Sequence, residues 1–219
     1  MKLFLDTAEL DEIRTAARWG VIDGVTTNPS LYAKVKGASY DDVLKEICTI
    51  VSGPVSAEVI ADDVEGMLRE GRHFAKIADN IVVKVAMSET GLEAISRFAA
   101  EGIRTNCTLL FTANQGLLAA RAGASLLSPF VGRLDDINED GMTVIRELAE
   151  IVRFHEIDSE VLAASIRHPR HITEAALAGA HIATLPMKVL QQMVHHPLTD
   201  KGIETFKKDW AAARAAAAK

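Results

Sequence analysis

Short apolar runs and amphipathic stretches alternate along the whole chain. Apolar runs fall at residues 3–5, 24–28, 55–60, 80–86, 103–110, 125–131, 160–165 and 181–185. The intervals between them carry helical periodicity with start and stop signals. Thr7 is placed to cap a helix through Trp19 with Glu9 in its first turn, and Pro29 stops the second run. A helical pattern spans 30–52 with a break near Gly37. Asp62-Asp63, Ser88 and Thr112 open further helices, and Gly102, Gly123 and Gly179 close them. A loop containing Gly132-Arg133 precedes a helix to about His155, and the last long helix occupies about 200–218.

Eight strand-like units, each with its helix in roughly 25 residues, predict a parallel sheet. The length, 219 residues, suits a compact (β/α)8 barrel, a fold of typically about 250 residues. An open doubly wound sheet is the alternative, but the first run is not followed by a glycine-rich phosphate-binding fingerprint. The expected fold is therefore a TIM barrel forming a single domain over 1–219, with a C-terminal helical extension.

Composition narrows the function classes. The net charge is −6, with no Lys/Arg-rich stripe, so a nucleic-acid partner is not expected. No apolar run approaches the ~20 residues of a membrane span. The N-terminus turns acidic at Asp6, too early for an export signal, and the expected location is the cytoplasm. Cys48 and Cys107 lack metal spacing and read as free thiols. The histidine clusters, His168-Pro-Arg-His171 and His195-His196, read as surface or capping groups, and no metal is expected.

One lysine stands out. In Ile81-Val82-Val83-Lys84-Val85-Ala86 a lysine interrupts a buried aliphatic strand. Burial disfavours an ammonium, and a neutral amine is a nucleophile that condenses with a carbonyl to a Schiff base. The competing reading is a lysine that snorkels or pairs with a carboxylate. Strand parity separates Val82, Lys84 and Ala86 from the wholly aliphatic face of Ile81, Val83 and Val85, so Lys84 points into the barrel. The same parity groups Phe4 with Asp6, Thr26 with Asn28, Ser56 with Glu58, Asn106 with Thr108, and Ser128 with Phe130. Ser165 ends the seventh run, and Thr184 lies on the eighth. Barrel active sites lie at the C-terminal strand ends, where these polar groups fall. Arg133 and Arg167 follow the sixth and seventh runs at that same end, and their guanidinium groups suit a phosphate. The cavity reads as one for an anionic sugar: an amine for its carbonyl, hydroxyls and an amide for its OH groups, and arginines with Ser165 for its phosphate.

Thr26-Thr27-Asn28-Pro29-Ser30-Leu31, Val82-Val83-Lys84-Val85-Ala86, Thr105-Asn106-Cys107-Thr108-Leu109 and the segment 128–136 resemble the transaldolase family. The likeness is to the short bacterial and archaeal type, which includes fructose-6-phosphate aldolases, and covers nearly the whole chain. The resemblance implies class I aldol chemistry with no cofactor and sugar phosphates as partners. Sedoheptulose 7-phosphate would give a dihydroxyacetone unit to glyceraldehyde 3-phosphate, yielding erythrose 4-phosphate and fructose 6-phosphate. It also implies roles. Lys84 forms the Schiff base, Asp6 moves the C4 hydroxyl proton, and Glu58 and Thr108 hold a water. Thr26, Asn28 and Ser128 bind hydroxyls, while Arg133, Ser165 and Arg167 anchor phosphate. The aldolase relatives typically carry Gln in place of Glu58 and Tyr in place of Phe130, so this pair favours the transferase over the aldolase. A non-catalytic sugar-phosphate-binding barrel is a third reading. Members of this type are often pentamers or decamers, so a homo-oligomer is expected, with the segment from Gly202 reaching a neighbour or else packing on its own barrel.

Overall fold

A computed structural model describes residues 1–218. The first half runs β1 (Lys2–Asp6), α1 (Leu10–Trp19), β2 (Gly24–Thr26), α2 (Pro29–Tyr32), α3 (Tyr40–Ile50), β3 (Val55–Glu58), α4 (Val64–Ala75), β4 (Ile81–Ala86) and α5 (Glu89–Ala100). It continues with β5 (Thr105–Leu110), α6 (Ala113–Ala122), β6 (Leu126–Pro129), α7 (Val131–Asp135), α8 (Gly141–Phe154) and β7 (Glu160–Ala163). The chain ends with α9 (Pro169–Leu177), β8 (Ile182–Leu185), α10 (Met187–Val194) and α11 (Pro197–Ala217). The strands pair in sequence order, all parallel, and β8 pairs with β1 to close the barrel. This is the (β/α)8 architecture that the alternation of runs predicts.

Local chemistry explains most helix starts. The side chains of Ser39, Asp63, Ser88, Thr112 and Asp140 each accept a first-turn backbone N–H, relieving amides that the helix leaves unpaired. Thr7 behaves differently from its predicted role. Its hydroxyl accepts the Glu9 N–H at 3.1 Å, a turn ahead of the helix, and α1 begins only at Leu10. The helical pattern over 30–52 resolves into α2 and α3, separated at Gly37, whose φ of +80° breaks any helix.

Two apolar layers result. The larger lies between sheet and helices and includes Val83, Val85 and Cys107. The smaller fills the barrel interior with Phe4, Val82, Leu126, Leu162 and Ile182. Val82 and Val83, adjacent in sequence, thus sit in different layers, the alternation a strand imposes. The interior plug closes one end of the barrel, and polar side chains occupy the strands toward the other.

Among the described residues no helix is long and apolar enough to cross a membrane. Cys48 and Cys107 are free thiols, and burial pushes them up to about 11 and about 12. The C-terminal helix α11 has no buried residue, with Phe206 75 % and Trp210 67 % exposed, so it does not pack on its own barrel.

Candidate active site

Neighbouring registers bring the polar strand ends together. Asp6 pairs beside Thr26, Glu58 beside Lys84, Lys84 beside Asn106, and Ala86 beside Thr108. A cavity of about 220 Å³ opens at the C-terminal end of the barrel. Asp6, Thr26, Asn28, Lys84, Thr108, Ser128, Phe130, Arg133, Ser165 and Arg167 line it, together with Thr184. Glu58 lies elsewhere, on an adjoining cavity of about 350 Å³ that also touches Lys84, Thr108, Asn28 and Phe130. Lys84 and Thr108 stand at the junction of the two spaces, with Asp6 on one side and Glu58 on the other.

Lys84 is 5 % exposed. Its Nζ lies 2.9 Å from Glu58 Oε2 and donates to the Thr27 carbonyl at 3.3 Å. The amine is therefore ion-paired in the resting site, the second of the two roles open to a lysine in such a strand. A paired lysine can still become a nucleophile, since its partner is a ready acceptor for the ammonium proton.

Hydrogen-bond accounting orients the other groups. Thr26 Oγ1 donates to Asp6 Oδ1 at 2.7 Å. Thr26 has one hydroxyl hydrogen, so at the 2.6 Å contact with Thr184 Oγ1 it is Thr184 that donates. Burial pushes the Asp6 carboxyl above the ordinary carboxylate range, against the opposing pull of the Lys84 ammonium and the Thr26 bond. A second chain crosses the interior: Ser128 Oγ donates to Asn106 Oδ1 at 2.6 Å, and Asn106 Nδ2 donates to Ser56 Oγ at 3.0 Å. Ser128 is left with lone pairs to offer. The Thr108 hydroxyl is buried with no partner among the described residues.

Tyr40, on α3, supports this arrangement from behind. Thr27 Oγ1 gives its hydrogen to the Ser56 carbonyl, so Tyr40 OH donates to Thr27 Oγ1 at 2.8 Å. The same phenol accepts the Glu58 backbone N–H at 3.4 Å. It thus steadies both residues that touch Lys84. Burial pushes its hydroxyl above the usual phenol range, which keeps it protonated.

Two groups, Asn28 and Ser165, stand off the strands on which the apolar runs put them, and Arg133 leaves its expected loop. Asn28 is the N-cap of α2, its Oδ1 accepting the Leu31 N–H at 2.9 Å, so only its amide NH2 remains for a ligand. Arg133 sits on the one-turn helix α7 instead of a loop, because Gly132 and Val131 hydrogen-bond back to the Ser165 and Ala164 carbonyls. Its guanidinium lies 5.0 Å from the Phe130 ring centroid, a cation–π contact. Ser165 falls beyond β7 with φ +59°. Leu109, at the register shift between β5 and β6, has the same φ. Left-handed backbone in ordinary residues costs about 1–2 kcal/mol each and is concentrated at functional sites.

The His168–His171 cluster is also more than surface. His168 is exposed, but His171 is buried and lies against Asp135 and the arginine loop. Of the other pair, His196 does cap a helix, accepting the Leu198 N–H. Tyr40, Thr27, Thr184 and His171 are the supporting groups that local patterning left without a role. Only the polar position of Thr184 on an inward face hinted at one.

Fold and site together define a class: a (β/α)8 barrel with a buried lysine, flanked by carboxylates, facing a cavity rimmed by arginines. The family model for transaldolase/fructose-6-phosphate aldolase matches residues 3–217. A probable transaldolase from Roseiflexus sp. (strain RS-1) is 63% identical over 212 residues, covering 97% of this chain and 98% of that one. One from Thermoanaerobacter sp. (strain X514) is 61% identical over 210 residues, covering 96% and 97%. The chain belongs to the transaldolase/fructose-6-phosphate aldolase family. Thiamine phosphate pyrophosphorylase from Pyrococcus furiosus has a similar fold, with TM-score 0.59 and 15% identity over 84% of this chain and 85% of that one. That likeness concerns the barrel alone.

Proposed function

We propose that the protein is a transaldolase that moves a dihydroxyacetone unit between sugar phosphates through a Schiff base on Lys84. The observation that carries this reading is the position of Lys84 between two cavities, with Asp6 on one and Glu58, 2.9 Å from the amine, on the other. Glu58 takes the proton of the ammonium, and the freed amine attacks the C2 carbonyl of sedoheptulose 7-phosphate. A water leaves as the imine forms. Glu58 and the unpartnered Thr108 hydroxyl hold that water in the adjoining cavity.

The protonated imine then draws electrons from the C3–C4 bond. Asp6 accepts the C4 hydroxyl proton as the bond breaks and erythrose 4-phosphate departs. Burial makes Asp6 a stronger base than a solvated carboxylate, which suits this step. Thr26, Asn28 and Ser128 hold hydroxyls of the retained unit. The carbanion attacks glyceraldehyde 3-phosphate, Asp6 returns its proton to the new hydroxyl, and water hydrolyses the imine to release fructose 6-phosphate. Arg133, Ser165 and Arg167 hold the phosphate.

Phe130 supports transfer over free aldol cleavage. Its ring lines both cavities, meets Phe111 edge-on at 5.9 Å, and has no hydroxyl to protonate the waiting carbanion. The names of the relatives point the same way. We also read the protein as a homo-oligomer, a reading supported by Leu198, Ile203, Phe206 and Trp210 on α11, which are exposed.

Two measurements test the chemistry. Borohydride added with fructose 6-phosphate should leave a reduced three-carbon adduct on Lys84, found by peptide mass mapping and absent from Lys84→Met. No adduct would sink the Schiff-base mechanism. Fructose 6-phosphate alone should release dihydroxyacetone at under about a hundredth of the transfer rate seen with erythrose 4-phosphate, a partition worth roughly 2.7 kcal/mol. Equal rates would make the protein an aldolase.

A further inference from the structure

The wall behind the arginines contains a buried imidazole that the chemistry above does not use. His171 is 5 % exposed, on the first turn of α9. Its Nδ1 accepts the backbone N–H of Arg167 at 3.3 Å. A ring nitrogen that accepts carries no hydrogen, so the proton of the neutral ring is on Nε2. Nε2 lies 3.0 Å from Asp135 Oδ2. The other Asp135 oxygen accepts the Gly141 N–H at 3.0 Å, where α8 begins. The next residue, Asp136, accepts from Arg167 Nη2 at 2.7 Å.

Arg167 is therefore gripped twice, through its backbone by His171 and through its guanidinium by Asp136. Both grips lead to the C-terminal end of α7, the same one-turn helix that carries Arg133. Backbone bonds from Val131 and Gly132 to the Ala164 and Ser165 carbonyls close the circuit on its other side. Burial and the neighbouring His168 ring, centroids 3.8 Å apart, hold His171 below the usual imidazole range, while Asp135 and Glu174 oppose this. The neutral ring is the form that can accept from Arg167.

We propose that Asp135 and His171 form a positioning pair that fixes the arginine loop after β7 to the arginine helix after β6, so that phosphate recognition depends on a histidine that does not touch the phosphate. The inference rests on the reading of Arg133 and Arg167 as the phosphate anchor. It concerns binding only: no bond to substrate is made or broken by the pair.

The test uses fructose 6-phosphate as donor and compares erythrose 4-phosphate with erythrose as acceptor, following glyceraldehyde 3-phosphate release. His171→Leu should raise KM for erythrose 4-phosphate about tenfold, the consequence of stripping the Arg167 N–H of its partner. KM for erythrose, and kcat with either acceptor, should stay within about twofold. His171→Asn, whose amide oxygen can reach the Nδ1 position, should recover most of the loss, and Asp135→Ala should repeat the leucine phenotype. Arg167→Ala and Arg133→Ala serve as references. If they separate the two acceptors but His171→Leu and Asp135→Ala do not, the positioning pair is refuted and the phosphate reading stands. A His171→Leu loss that is equal for both acceptors, or one that asparagine does not relieve, also refutes it. If neither arginine variant separates the acceptors, the phosphate reading itself fails, and the pair with it.

Discussion

On the β1–β5 side of the cavity the residues that touch Lys84 or Asp6 are themselves held by further side chains, from β8 inside the barrel and from α3 behind it. Thr184 donates to Thr26, Thr26 to Asp6, and Tyr40 holds Thr27 and Glu58. On the β6–β7 side the two arginines are exposed and are held by short connections: α7, the left-handed Ser165, and the Asp136 and His171 contacts. In the proposed reaction the first arrangement places the groups that handle protons, where displacements of an ångström cost rate. The second places charge for binding, where reach and a guanidinium fork matter more than a fixed rotamer. Lesions on the first side should therefore lower kcat, and lesions on the second should raise KM for phosphorylated substrates.

The largest expected effect is on the buried side. Asp6→Asn removes the group proposed to take the C4 proton and should lower kcat by about 10²–10⁴-fold, the usual worth of general base catalysis. The same change should stabilise the fold at neutral pH. Because burial raises the folded Asp6 above its unfolded value, ionisation works against the folded state. Its favourable contribution is complete below the unfolded pKa of about 3.9 and is lost as pH rises through the higher folded value. The variant should thus melt above the wild type at pH 7–8, and the gap should close toward pH 4. Melting curves across that range decide it; a gap that widens on acidification would show that the Lys84 attraction outweighs desolvation. The same upward shift places the acid limb of the wild-type kcat/KM profile, which reports the free enzyme, above the ordinary carboxylate range.

On the rim, Gly132→Ala is the sharper lesion. A Cβ at Gly132 would lie 2.3 Å from the Ser165 carbonyl oxygen and 2.6 Å from Arg167 Nε. The first neighbour is backbone and cannot swing away. α7 and the β7 loop must part, at a cost of about 1–3 kcal/mol, and the arginines separate with them. KM for erythrose 4-phosphate should rise by roughly five- to 150-fold, which is that cost expressed as affinity, with kcat changed far less. Steady-state kinetics with both acceptors would show it. A fall in kcat at unchanged KM would erase the distinction between the two sides.

The two sides also differ in how much of them is legible in sequence. The barrel follows from eight apolar runs, and alternation within a strand is enough to turn Lys84, Asp6 and Glu58 inward, because period two is a local property. Contacts between distant residues leave no such mark: Thr26 meets Thr184 across 158 positions. Glu58 and Asp6 both face inward, yet parity does not tell that they open onto different cavities. The rim is harder still. Leu109 and Ser165 adopt left-handed backbone without the glycine that signals it, and Gly132-Arg133 reads as loop because a single helical turn is too short to show periodicity. His171 looks like surface because its neighbours His168 and Arg170 are; it is buried where α9 packs against α8 and meets Asp135 at the end of α7.

The smallest effect is the most specific test of the buried side. Tyr40 touches no substrate cavity; its hydroxyl is joined to Thr27 Oγ1 and to the Glu58 N–H, while its ring packs edge-on against Phe74 with centroids 5.6 Å apart. Tyr40→Phe keeps the ring and removes only the hydroxyl. Thr27 loses a donor and the Glu58 amide loses an acceptor, so stability should fall by about 1–3 kcal/mol. Thr27 and Glu58 are the two residues in contact with the Lys84 amine, so their loosening should reach the chemistry. Imine formation, followed by borohydride trapping over time, should slow about three- to tenfold, the equivalent of up to ~1.4 kcal/mol in the barrier. KM for erythrose 4-phosphate should not move, since the arginines lie on elements that Tyr40 does not support. A stability loss with unchanged trapping would mean that the Glu58–Lys84 pair holds itself in place, and that Tyr40 serves only the packing of α3.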